Sequence, residues 1–282
     1  MRLIAAAALL LPPAAVSGQT AAELAARIEH RSGVTVQANT VDTFKAGSPD
    51  TRVTGIAVTM MATLDVLQRA AARGLNLVIT HEPVFYSHRD ATETLEKDAD
   101  PVYDAKQKFI ADNALVIWRF HDRPHTMKPD MIRAGMIEAL GWGIHQQADS
   151  AALFELPPMT IAGLAAQIRD KLGARSLRIV GDSSARVSRA AMTQGFPGFA
   201  ANRTALRVSG VDVLVMGEDH EWETIAYSAD AITAGLLKGI IVLGHVPSEQ
   251  AGMELVARWL RTFIGEVPVE FIATADPFTP PG

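Results

Sequence analysis

The chain contains no cysteine. That excludes a thiolate nucleophile, an iron–sulfur cluster and any sulfur-rich zinc site, so a bound metal must be held by nitrogen and oxygen. Disulfides are excluded too, which leaves the compartment open, because an exported protein need not contain them. No cluster of Lys and Arg stands out, and the formal net charge is −5. Neither a nucleic acid nor an anionic membrane is therefore the expected partner. Beyond the first residues no apolar run is long enough to span a bilayer. What is present is a chain of 282 residues, 48% hydrophobic and 20% charged. This is ample material for a core, in one large domain or two small ones.

The opening MRLIAAAALLLPPAAVSGQT has the three parts of an export signal. Arg2 supplies a positive start, Leu3 to Leu11 is a short apolar run, and Val16-Ser17-Gly18 offers a small-x-small cleavage site. Residues 1–18 are read as a signal peptide, with a buried N-terminal helix as the alternative. A periplasmic or secreted protein is expected.

The rest of the chain alternates strand-like and helix-like segments. VTGIAVTM, NLVIT and ALVIWRF read as strands, TLDVLQRAAARG and YDAKQKFIADN as helices, and Pro129 opens a further helix in PDMIRAGMIEALG. A middle segment, about Phe154 to Ala205, carries the amphipathic MTIAGLAAQIRDKLG and two short strands, SLRIVG and VSRAAMTQG. VDVLVMG, GIIVLG and VPVEFIA then alternate with two helices, and the tail is proline-rich. This pattern predicts a layered α/β fold. LVITHEP and IIVLGHVP echo each other: a buried strand, a histidine, one residue, a proline. Two such βα units would set two histidines at equivalent strand ends, where parallel α/β sheets bind ligands.

Four of the eight histidines sit at strand ends. His81 and Glu82 end NLVIT, His121 and His125 follow VIWRF in HDRPH, and His245 follows GIIVLG, four residues before Glu249. Pro124 argues for a loop in HDRPH rather than a helix. His245 and Glu249 straddle a helix start signalled by Pro247 and Ser248. Four imidazoles and two carboxylates exceed what one zinc needs and suit two divalent ions. Imidazole favours Zn, Mn, Fe or Co over Ca or Mg. A single strand-end histidine is usually just hydrogen-bonded; the concentration of four, two beside carboxylates, favours metal. His30 and His145 are assigned nothing, and for His88 a bland role is favoured.

These motifs resemble those of the Nif3-like dinuclear-metal family, also known as the GTP cyclohydrolase I type 2-like family. LVITHEPVFY is similar to its strand ending in His-His-Pro, FHDRPH to its His-x-x-x-Asp segment, and LGHVPSEQAG to its Gly-His-x-x-x-Glu segment. VDTFKAGSPDTRVTGIAVTM resembles its leading Asp-Asn-x-Gly-Leu region. Two departures are visible. Glu82 stands where the family has histidine, and His125 where it has aspartate, with the total of four histidines and two carboxylates unchanged. Asp122 is a further carboxylate within reach. In MGEDHEWE, which matches a Gly-Glu pair near the family's cleft, Glu218, His220 and Glu221 are candidates for general base or supporting partner.

The resemblance implies two related lobes, 19–150 and 151–282, with the metal site in the cleft between them. The last part, about 239–275, is expected to return and complete the site. It also implies a toroidal homo-hexamer. The expected activity is metal-dependent hydrolysis of a small molecule, with Glu218 or Glu221 moving the proton. Arg89, Arg119, Arg123 and Lys128 flank the motifs and could hold an anionic substrate. The alternatives are a non-catalytic metal-storage hexamer and a scaffold.

Overall fold

The computed structural model describes residues 18–278. The expected signal segment, except Gly18, lies outside the described residues. Among those described, no helix is long and apolar enough to cross a membrane.

The first half of the chain gives four short strands to the first sheet, β1 (Phe44–Ala46), β2 (Ile56–Thr59), β3 (Leu77–Thr80) and β4 (Val116–Arg119). The helices of this half are α1 (Ala21–Ser32), α2 (Leu64–Ala71), α3 (Glu93–Lys97), α4 (Pro101–Asp112), α5 (Asp122–Thr126) and α6 (Met131–Leu140). The second half runs β5 (Leu153–Thr160), α7 (Ile161–Leu172), β6 (Arg178–Gly181), β7 (Arg186–Met192), α8 (Phe199–Leu206), β8 (Val213–Met216), α9 (Ala226–Thr233), β9 (Gly239–Val242), α10 (His245–Arg261) and β10 (Val269–Phe271). Strand order is β1-β4-β3-β2-β10 in one sheet and β5-β7-β8-β9-β6 in the other. β10 therefore leaves the second half and pairs in parallel with β2. The fold is layered α/β with two lobes, each built on parallel strands (β2-β3-β4 and β7-β8-β9) with antiparallel partners at sheet edges.

The run of apolar residues in each central strand reflects burial on both faces. Ile56, Val58, Leu77, Ile79, Val116 and Trp118 point into a core shared with α1 and α10. Their neighbours Ala57, Val78 and Ile117 point the other way, onto α2 and α4. The second sheet repeats this, with Ala190, Met192, Val213 and Val215 facing α7. Helix α6 joins both cores, since Ile132 lies in the first and Met136 and Leu140 in the second. It crosses α10 at two glycines. A Cβ at Gly135 would lie 2.5 Å from the Gly252 Cα, so only hydrogen fits at the crossing.

The strand-and-histidine echo holds, but the helix-following part of it does not. His245 opens α10 directly, whereas His81 enters an irregular segment containing Tyr86 and Asp90 at positive φ. The helix expected to start near Pro247 begins two residues earlier. Pro247 occupies the first turn, where no backbone donor is needed.

Candidate metal centre

The C-terminal ends of the parallel strands deliver the site. β3 stops at Thr80, and its ladder runs on for two residues as the His81 N–H bonds Thr59 and the Glu82 N–H bonds Met60. Both side chains are thereby buried at the sheet's end. The His81 Nδ1 lies 3.3 Å from the Phe120 carbonyl. A carbonyl only accepts, so Nδ1 carries the proton and Nε2 is a free donor of electrons toward the centre.

β4 delivers His121 and, through α5, His125. HDRPH is a short helix rather than the expected loop: Pro124 is the third residue of α5, inside the first turn, and breaks nothing. What holds this turn is Asp42, a residue the sequence reading passed over. Its buried carboxylate accepts the backbone N–H of His121 at 2.7 Å, of Asp122 at 2.8 Å and of Arg123 at 3.0 Å. The His121 Nδ1 donates to Asp122 at 2.9 Å and the His125 Nδ1 to Asp130 at 3.1 Å. Asp130, which also caps α6, was likewise passed over.

β9 and α10 deliver His245 and Glu249, one helical turn apart and so on one face. The His245 Nδ1 donates to Glu218, at the end of β8, at 2.9 Å. The His245 Nε2 lies 3.2 Å from Glu249 and 3.3 Å from Glu82. All four imidazoles thus have Nδ1 occupied and Nε2 turned inward, the arrangement in which a backbone or carboxylate acceptor orients a metal-binding histidine. The rings of His81, His121 and His125 stand 4.5 to 5.1 Å apart.

The six residues fit a metal. The donor atoms of His81, His121 and His125 lie within 4.8 Å of one another, as do those of His81, Glu82 and Glu249. His81 Nε2 and Glu249 Oε2 are fully buried, 3.4 Å apart, and neither makes a hydrogen bond. Polar atoms buried this way are costly unless something else satisfies them.

The electrostatics agree. Burial pushes the Glu82 carboxyl up, but the His245 hydrogen bond and the surrounding imidazoles outweigh it and hold it at about 2. Glu249 is likewise lowered: burial opposes, and the neighbouring His245 and His81 imidazoles win. Burial and the neighbouring His81 push His121 down to about 4, so it is neutral near pH 7. Burial also disfavours the charged His245, yet its contacts with Glu218, Glu249 and Glu82 push it up to about 12.

A cavity of about 360 Å³ opens over the cluster. His88 and Arg133 from the first half, and Gln194 and Phe196 from the second, line it. A second cavity of about 420 Å³ shares Glu82, His88, Phe196 and His245 and reaches Glu218. Glu221 lines neither cavity; it is exposed and pairs with Arg178 at 2.9 Å. His220 belongs to a separate group with Asp219 and Glu223, stacked on Trp222. Among the flanking cations, Arg119 is buried and consumed by the scaffold, bonding the His81 and His88 carbonyls and lying 3.5 Å from Glu82. Arg123 pairs with Glu29 and Asp42. Arg89 reaches only the Asn39 carbonyl, and Lys128 lines a different cavity.

A model of the Duf34/NIF3 family (NGG1p interacting factor 3) matches residues 29–277. The chain belongs to this family. A Clostridium perfringens protein named GTP cyclohydrolase 1 type 2 homolog is 23% identical over 246 residues, 82% of this chain and 88% of that one. Among solved structures, a Staphylococcus aureus hypothetical protein superposes with a TM-score of 0.69 at 18% identity, covering 93% of this chain and 99% of the other. A Bacillus cereus protein related to NIF3 gives a TM-score of 0.67 at 15% identity, with the same coverage. These structures share the NIF3 fold with this chain.

Proposed function

We propose that this NIF3 protein is a metal-dependent hydrolase holding two divalent ions on His81, Glu82, His121, His125, His245 and Glu249. The observation that carries this is the pair of buried, unpartnered atoms, His81 Nε2 and Glu249 Oε2, at the centre of four inward-facing Nε2 atoms. Divalent ions there would supply Lewis acidity, which acidifies water and polarises carbonyl or phosphoryl oxygens. The chain's own residues do the remaining work. Asp122, Asp130 and Glu218 fix the imidazole tautomers. Glu218 also lines the adjoining cavity, and is the group assigned to carry a proton there. Phe196 and Pro197 line the rim of the cavity over the cluster.

The GTP in the Clostridium relative's name is not carried over. The N-terminal segment supports export, and an exported protein rarely meets GTP. A homo-hexamer and a periplasmic or secreted location complete the proposal; light scattering of purified protein and N-terminal sequencing of exported material test them.

Elemental analysis of the purified chain beside His245→Ala tests the centre. About two ions per chain, lost in the variant together with metal-dependent turnover in a hydrolase screen, is the expected result. Reversible metal release with no turnover would favour storage. No metal after reconstitution would refute the centre.

A further inference from the structure

The cavity over the cluster contains one cation whose charge the fold leaves unspent. Arg133 projects from α6, and among the described residues no carboxylate lies within 4 Å of its guanidinium. Its Nε donates to the Gln194 Oε1 at 3.3 Å. Gln194 is buried and follows β7, so this bond joins the two halves of the chain across the cavity. Nη1 and Nη2 make no hydrogen bond among the described residues. The contrast with Arg119 and Arg123 is direct, since each of those pairs with two carboxylates.

The nearest negative charge is already committed elsewhere. Asp130 caps α6 through the Ile132 and Arg133 N–H groups and holds His125 with its other oxygen. Arg133 also lines the separate cavity beside Lys128, Ile137 and Ile144, so it stands in the wall between the two. A guanidinium fixed at Nε presents its two remaining nitrogens as a fork, the geometry that grips carboxylate or phosphate bidentately.

The charge balance points the same way. Two divalent ions on four neutral imidazoles and two carboxylates would give that ligand set an excess of positive charge, which Asp122, Asp130 and Glu218 behind it would offset; an anion between the ions and Arg133 would be attracted by both.

We infer that Arg133, positioned by Gln194, is the anion-recognition residue of this site, and that the substrate carries a phosphate or carboxylate group beside the bond to be cleaved. This rests on the hydrolase reading above. Gln194 acts through Arg133 and is a positioning residue.

The test is calorimetric titration of inorganic phosphate, and separately of acetate, into the full chain. Metal-loaded and metal-stripped wild type, Arg133→Ala, Arg133→Lys and Gln194→Ala are compared, with metal content measured on each. Arg133→Ala should weaken phosphate binding by roughly tenfold or more in both states, the usual scale for a lost charged hydrogen bond, with metal content unchanged. Arg133→Lys should recover only part of the loss, because it restores charge and not the fork. Gln194→Ala should fall between wild type and Arg133→Ala. Preference for phosphate over acetate, or the reverse, identifies the group. Equal phosphate affinity in wild type and Arg133→Ala would overturn the inference. Failure of the metal reading would appear separately, as a wild-type chain that takes up no metal, and the stripped-chain comparison would still decide the role of Arg133.

Discussion

Gly195 gives the sharpest handle on the centre. It lies in the turn after β7 with φ of +60°, and a Cβ placed there would sit 2.8 Å from the Glu249 carboxyl carbon and 3.1 Å from its Oε2. Glu249 has nowhere to retreat, because its Oε2 is held 3.2 Å from His245 and 3.4 Å from His81. Gly195→Ala must therefore move the carboxylate or the turn. The left-handed backbone alone costs an alanine about 1–2 kcal/mol. Gly173→Ala is the matched control: Gly173 is left-handed at φ +64°, yet nothing lies within 4 Å of its added Cβ. Both variants should lose a few degrees of melting temperature for each kcal/mol. Only Gly195→Ala should also lose metal affinity, by at least the 10- to 100-fold that losing a supporting residue costs. Metal titration and thermal melts of the two side by side decide it. If Gly195→Ala binds metal as tightly as Gly173→Ala, the turn does not seat Glu249 and the argument is wrong.

Three further outcomes follow from the same geometry. Asp130→Ala removes the acceptor that fixes the His125 tautomer and should lower metal affinity by about 10- to 100-fold in competition titrations, while also removing the α6 cap. Gly135→Ala drives a Cβ onto the α10 backbone and should cost about 1–3 kcal/mol or more in chemical denaturation, as overpacking does. In the metal-free chain His245 is pushed up to about 12 by its carboxylate neighbours. Its contribution to stability is thus full below the ordinary histidine range and is lost only as pH rises toward that value. Glu82, held at about 2, contributes above the ordinary carboxylate range and loses its contribution as pH falls toward 2. Metal must displace the His245 proton, so loading in weak buffer should release protons and affinity should rise with pH. Proton-neutral loading would contradict the assignment.

How much of this could be read from the sequence depends on whether a role is local. Unbroken runs such as LVIT and GIIV mark strands buried on both faces, and the groups that follow such strands converge because parallel strands end together. Pro124 misled because a proline was weighed as a helix breaker without asking whether it fell in a first turn. Asp42 and Asp130 were missed because their work is done across space. Asp42 holds a turn some eighty residues away, and Asp130 stands next to Pro129, which reads as the helix start although Asp130 is the cap. Glu221 and Glu218 lie three residues apart, yet only Glu218 is carried by a strand end toward His245. Nothing in MGEDHEWE distinguishes the two until β8 is seen to stop at Met216.

The exchange of histidine and carboxylate that the resemblance implies at positions 82 and 125 is matched by partners that make each residue fit where it stands. Glu82 faces the buried Arg119 at 3.5 Å, a neighbour that suits a carboxylate and repels a protonated imidazole. His125 faces Asp130 at 3.1 Å, a neighbour that suits an imidazole and repels a carboxylate. Reverting either residue alone sets like against like. Glu82→His leaves the Arg119 guanidinium with Asp90, at 3.6 Å, as its remaining carboxylate, and breaking a buried pair costs about 3–5 kcal/mol. Asp90 retains part of that, so a loss near the lower end is expected. His125→Asp places two carboxylates together and raises the pKa of one of them. The double reversal, Glu82→His with His125→Asp, restores the family's arrangement of ligands and the same total charge, but not the partners behind them. It should therefore regain neither the melting temperature nor the metal content of the natural chain. Full recovery in the double variant would mean that the ligand set alone, and not Arg119 and Asp130, decides which residue stands at each position.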